Sequence, residues 1–199
     1  MVRLATKKTR PRNAAATRQR ILDRALDAFA RRGYEGVSLD DLAVAVGVRK
    51  ATLFYYFGSK ADLYEEVARS TAARYAPLAI RLTAERPSIE GLCSIVGELH
   101  DILARSHESA GLVMREALDA RTRRANRAVG PLVAAGERYV REGQRRGVFS
   151  REISAEAALA SAVGAVTLPF LNPGLFSIDR AGAIAFVRRA LAVQRRRHR

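Results

Sequence analysis

The sequence predicts an all-α protein of about nine helices, a three-helix N-terminal domain followed by a larger helical one. Three observations carry the prediction. Apolar residues recur at spacings of three and four in one segment after another. No run alternates with period two for long enough to make a strand. The later breaks, at Pro87, Gly147 and Leu171–Phe176, carry Gly, Pro or Asn, chemistry that suits a connection.

Before Ile21 the chain holds Arg3, Lys7, Lys8, Arg10, Arg12, Arg18 and Arg20 and no acid, with Pro11 interrupting, so residues 1–13 are expected to form a basic flexible arm. Leu22, Ala25, Leu26 and Phe29 then make a helical stripe that stops at Gly33. Ser38 precedes Leu39, Leu42, Ala43 and Val46, with Asp40 and Asp41 in the first turn where acids suit the helix dipole, and Gly47 ends this second helix. A third short helix is expected from Lys50 to Phe57, and Ser59 opens a fourth that reaches toward Pro77. Helix, short helix, Gly turn and short helix is the helix-turn-helix layout. It places this domain at residues 14–60 and the larger one at 61–199. Five further helices are expected at Ser88–Ser106, Glu108–Asp119, Ala125–Arg146, Ser154–Leu171 and Asp179–Gln194, and the closing Arg-rich run reads as a solvated tail.

The 199 residues carry a formal net charge of +15, with 48% apolar and 28% charged residues, a soluble globular composition whose basic excess suits either a polyanionic partner or an acidic membrane surface. No apolar run approaches the ~18 residues of a membrane span, and no secretory signal opens the chain, so a cytoplasmic location and no membrane partner are expected. Cys93 is the sole cysteine, which removes an intrachain disulfide and a thiolate-rich zinc site. With only one thiol, a redox sensor has no resolving partner. The histidines at 100, 107 and 198 have no ligand spacing. No Ser/His/Asp grouping, carboxylate pair or phosphate-cradling Gly loop appears, so neither catalysis nor a cofactor is expected.

The stretch Lys50–Lys60, KATLFYYFGSK, carries the most specific chemistry. At about 100° per residue, Leu53 and Phe57 share one helix face, Tyr55 points nearly opposite with Ala51 and Thr52 beside it, and Phe54 and Tyr56 lie on the flanks. A DNA major groove admits such a helix. Ala51 and Thr52 can touch a thymine methyl, and the tyrosines can bond phosphates or stack along sugars. Lys50 and Lys60 would stand near flanking phosphates.

Residues 17–67, TRQRILDRALDAFARRGYEGVSLDDLAVAVGVRKATLFYYFGSKADLYEEV, resemble the DNA-binding domain of the tetracycline-repressor-like (TetR) family of bacterial transcriptional regulators. The resemblance implies a homodimer that binds a near-palindromic double-stranded DNA operator, usually represses, and is released by a small-molecule effector. It puts DNA contacts on Lys50, Ala51, Thr52, Phe54, Tyr55 and Tyr56, and a phosphate contact on Lys60. The chain departs from the family pattern at Arg49, where a small capping residue is usual, at Phe54, commonly Tyr, and at Tyr56, commonly His. Arg49 gives up the cap and gains a cation for a phosphate. Arg10, Arg12 and Arg18 are placed to follow an adjacent minor groove.

In the larger domain, Cys93, Val96 and His100 share an edge of one stripe, and Met114 and Tyr139 can face them, which makes these five the candidate effector-pocket residues. Ala157, Ala160, Ser161 and Gly164 form a small-residue stripe, and Ile184, Val187 and Leu191 an apolar one. Together they are the candidate homodimer surface. The alternatives are a non-specific nucleic-acid-coating protein, which would prefer no sequence, and a small all-helical enzyme, for which the chain lacks chemistry.

Overall fold

The computed structural model describes residues 10–118 and 130–193; the side chains of 10–13 and 116–118 are not among them. Over this range the chain forms α1 (Arg10–Arg32), α2 (Leu39–Val46), α3 (Lys50–Phe57), α4 (Lys60–Ala84), α5 (Ile89–Arg105), α6 (His107–Leu118), α7 (Gly130–Arg145), α8 (Ala155–Leu171) and α9 (Arg180–Leu191). The only extended pairing among the described residues is an isolated bridge between Phe149 and Ala192.

The chain divides into two compact units between Ala68 and Arg69, later than the expected boundary at 60/61. The reason is aromatic packing. Tyr64, on the second turn of α4, meets Phe29 edge-on at 5.0 Å and Tyr34 at 5.2 Å, and Leu63 and Val67 fill the same core. The start of α4 is therefore part of the smaller unit.

In that unit, Ile21, Ala25 and Phe29 of α1 are buried with Leu42, Ala43 and Val46 of α2 and Leu53 and Phe57 of α3. Ser38 caps α2 by accepting the Asp40 N–H at 3.1 Å. Gly47 ends it at φ 75°, a left-handed turn that a side chain would resist. α1 begins at Arg10, inside the span expected to be an arm. Pro11 suits this position, because its fixed φ fits a first turn whose N–H groups have no intrahelical acceptor. Arg18 is engaged within the unit, 2.9 Å from Glu66 and 5.1 Å over the Phe57 ring, so it is not a minor-groove reader in this state. The rest of the arm, residues 1–9, lies outside the described residues.

The larger unit comprises the remainder of α4 with α5–α9. α4 runs through Pro77, where the sequence suggested a stop. A proline inside a helix costs ~3 kcal/mol, and burial of Tyr75, Leu78 and Leu82 along one face outweighs it. Ser88, Ser154 and Asp179 cap α5, α8 and α9, each accepting a backbone N–H three residues on. α5 packs on α9 and α8, and α8 also meets α6, α7 and α9. α9 ends at Leu191, because Ala192 turns extended to pair with Phe149. The expected start of α7 at Ala125 and the basic tail fall outside the described residues.

Candidate nucleic-acid interface

α3 is held from behind by Leu53 and Phe57, 2% and 8% exposed, while Tyr55 on the opposite side is 83% exposed. Burial of the two anchors against α1 and α2 fixes the helix's rotation, and that rotation turns the other face outward. Phe54 is 44% exposed on one flank, Tyr56 and Thr52 are half-buried, and Ala51, Lys50 and Arg49 are exposed. The Tyr55 and Tyr56 rings meet edge-on at 5.3 Å, which holds both phenols at one end of the helix. The surface thus offers a methyl, a hydroxyl and two phenols within two turns, the mixture that base edges and sugar-phosphate can use.

The cations are partly engaged within the fold. Lys50 Nζ lies 2.8 Å from Asp40 Oδ2, an exposed pair. Such pairs contribute at most ~1 kcal/mol, so a phosphate can replace the carboxylate. Lys60 Nζ sits 4.6 Å from the centre of the Tyr34 ring and donates to the Glu35 carbonyl at 3.4 Å. Arg49 stands at the N-cap of α3 in extended conformation and makes no side-chain capping bond, as its chemistry requires. Sequence reasoning passed over Val44, a large apolar side chain exposed on α2. The signal was present: Leu42, Ala43 and Val46 make the buried stripe, and Val44 falls off it.

The five pocket candidates do not converge. Val96 lines an apolar cavity of ≈ 120 Å³ inside the larger unit, walled by α4, α5, α6, α7 and α8 with Leu191 of α9. Cys93, His100, Met114 and Tyr139 are not on its wall. Cys93 is buried with Sγ 4.0 Å from the Ile184 carbonyl, and burial pushes its thiol above the ordinary value, which favours the protonated form. His100 points Nε2 at the Ile178 carbonyl, 3.3 Å away, and meets the Phe170 ring edge-on. Tyr139 donates its hydroxyl to the Arg86 carbonyl and accepts the Ser88 N–H at 3.1 Å, tying α7 to the start of α5. The residues that do line the cavity include Tyr75, Leu78, Ala158 and Ala162, none of them a sequence candidate. Ala158, Ala162 and Val166 recur every four positions, a stripe the sequence contained.

The dimer candidates also separate. Ala157, Ala160 and Ser161 are exposed and Gly164 is partly so, on the outer face of α8. Val187 and Leu191 are 1% and 2% exposed in the core of their own subunit, and Ile184 packs against that core. The α9 stripe therefore serves α5 and α8 of the same chain, a correction to its expected place at the surface.

Comparison with known proteins follows this division. Residues 21–67 match the family described as bacterial regulatory proteins, tetR family. IcaR of Staphylococcus aureus (strain Newman), a negative transcriptional regulator of the icaADBC biofilm operon, is 43% identical over 49 residues, 25% of this chain and 26% of that protein. Its Staphylococcus epidermidis counterpart is 29% identical over 75 residues, 38% of this chain and 40% of that one. The alignments thus span between a quarter and two-fifths of these relatives. The fold likeness is longer. HlyIIR, a hemolysin II transcriptional regulator, superposes with a TM-score of 0.75 over 91% of this chain and 99% of its own at 22% identity. The ketosteroid transcriptional regulator KstR2 of Mycobacterium tuberculosis gives 0.71 over 89% and 95% at 16% identity.

Proposed function

We propose, from the premise that residues 21–67 are a domain of the tetR family of bacterial regulatory proteins, that the chain is a sequence-specific DNA-binding transcriptional regulator. It acts as a homodimer on a near-palindromic operator, represses, and is released when a small molecule occupies the cavity of the larger unit. The observation that carries the reading is the rotation of α3: Leu53 inward, Tyr55 outward. Arg49, Lys50, Ala51, Thr52, Phe54, Tyr55, Tyr56 and Lys60 form the contact set. Lys50 and Lys60 exchange their internal partners for phosphates, and Arg49 takes a phosphate of its own. Repression agrees with the negative regulator IcaR among its relatives. Release follows from linkage, since an effector acts only by preferring one arrangement of the two reading heads.

Selection of bound duplexes from a random DNA library tests the reading. The expected product is a two-fold repeat with half-sites about one helical turn apart, bound at least ~1000-fold more tightly than a scrambled duplex at the same salt. Equal affinity for both duplexes would leave the chain a general nucleic-acid-coating protein.

A further inference from the structure

We propose that the cavity of the larger unit takes a small, uncharged, apolar molecule of about the size of one aromatic ring. The proposal deepens the effector reading above and rests on it only for the regulatory consequence. The wall decides the ligand's class. Among the described residues it is built from Leu, Ile, Val, Ala and Gly, and the only polar side chains on it are Tyr75 and Thr167. Among the described residues no acid, base or amide lines it, so a carboxylate or ammonium carried inside would give up water with none of these side chains to replace it.

Tyr75 offers a ligand less than its hydroxyl suggests. Ser109 Oγ donates to the Ser106 carbonyl at 2.6 Å, which leaves Oγ as acceptor for the Tyr75 hydroxyl 2.9 Å away. The Tyr75 proton is thereby committed to the fold, and burial holds the phenol neutral by raising its pKa. Cys93 and His100, which would have supplied a polar handle, are turned to the Ile184 and Ile178 carbonyls instead. Volume sets the size. The space is ≈ 120 Å³, and an apolar cavity of ~150 Å³ stays dry and accepts benzene.

The test is calorimetric titration of the full chain with toluene, benzoate and benzylammonium, three probes of one shape and different charge. Toluene is expected to bind at least ~100-fold more tightly than either ion. Ala162→Phe and Val163→Phe each put a ring into the cavity from α8, and each is expected to abolish toluene binding while the helical circular dichroism persists. Benzoate or benzylammonium binding as tightly as toluene, or no binding of toluene, overturns the proposal. So does toluene binding that survives in a folded ring-filled variant. If neither variant folds, the comparison of the three probes on the unaltered chain still decides. The titration contains no DNA, so its failure leaves the operator reading standing, and failure of the duplex selection leaves the ligand class standing.

Discussion

The Lys60 ammonium lies 4.6 Å from the centre of the Tyr34 ring, so the first residue of α4 grips the turn that follows α1. The same charge is the one placed to meet a phosphate. Exposed contacts of this kind contribute ~0.5–1 kcal/mol. Lys60→Met keeps the hydrocarbon stem on the ring and removes the charge. Urea unfolding is expected to register a loss below ~1 kcal/mol, while the slope of log operator affinity on log salt falls by about one. An unchanged slope would remove Lys60 from the interface.

Leu53 and Tyr55 are two residues apart on α3 and are expected to fail in different ways. Tyr55→Ala removes an 83% exposed side chain, so unfolding stability should move by less than ~0.5 kcal/mol. Operator affinity should drop at least tenfold, or ~1.4 kcal/mol. Leu53→Ala empties a buried site and should cost ~2–5 kcal/mol of stability. A Tyr55→Ala protein that binds its operator normally would exclude this face as the reader.

Two buried acids predict an alkaline limit. Burial raises the pKa of Cys93 above its ordinary 9.0 and that of Tyr75 above its ordinary 10.0, the latter against the opposing bond to Ser109. Above those ordinary values the unfolded chain sheds protons that the folded chain retains, so stability falls as pH rises. The contribution is complete below pH 9.0 for Cys93 and below pH 10.0 for Tyr75, and is lost as pH climbs through each raised value. Urea midpoints followed from pH 7.5 to 10.5 should decline less steeply in Cys93→Ala than in the parent. Equal declines would show the thiol ionising as freely folded as unfolded.

The outer face of α8 and the inner face of α9 separate association from folding. Ala160→Glu places a charge on the exposed small-residue stripe, and sedimentation is expected to show the dimer weakened at least ~100-fold with little change in melting. Leu191→Ala should cost ~2–5 kcal/mol of stability and leave association of the folded protein intact. Association that survives Ala160→Glu would move the interface elsewhere.

Local chemistry made most helix limits readable. Ser38, Ser88, Ser154 and Asp179 each cap the helix expected of them, because a capping bond spans two or three residues and needs nothing distant. Pro77 misled for the same reason: its local cost is real, but the burial that overrides it comes from residues far along the chain. Periodicity identified Val187 and Leu191 as apolar without saying what they would meet. Tyr139 and His100 looked like pocket groups, yet Tyr139 spends its hydroxyl, and His100 its Nε2, on backbone of other segments. Orientation on α3 was legible, because one eight-residue helix with two anchors has a single way to sit.

α8 is a party wall. Ala158, Ala162 and Val166 face the cavity, and Ala157, Ala160 and Gly164 look out from the other side of the same backbone, with scarcely a side chain to cushion either. If subunits pair through the outer surface, a guest pressing on the inner one would be felt by the partner. Reciprocity then makes the debt mutual: whatever occupancy does to pairing of the subunits, pairing must do in equal measure to the guest's affinity.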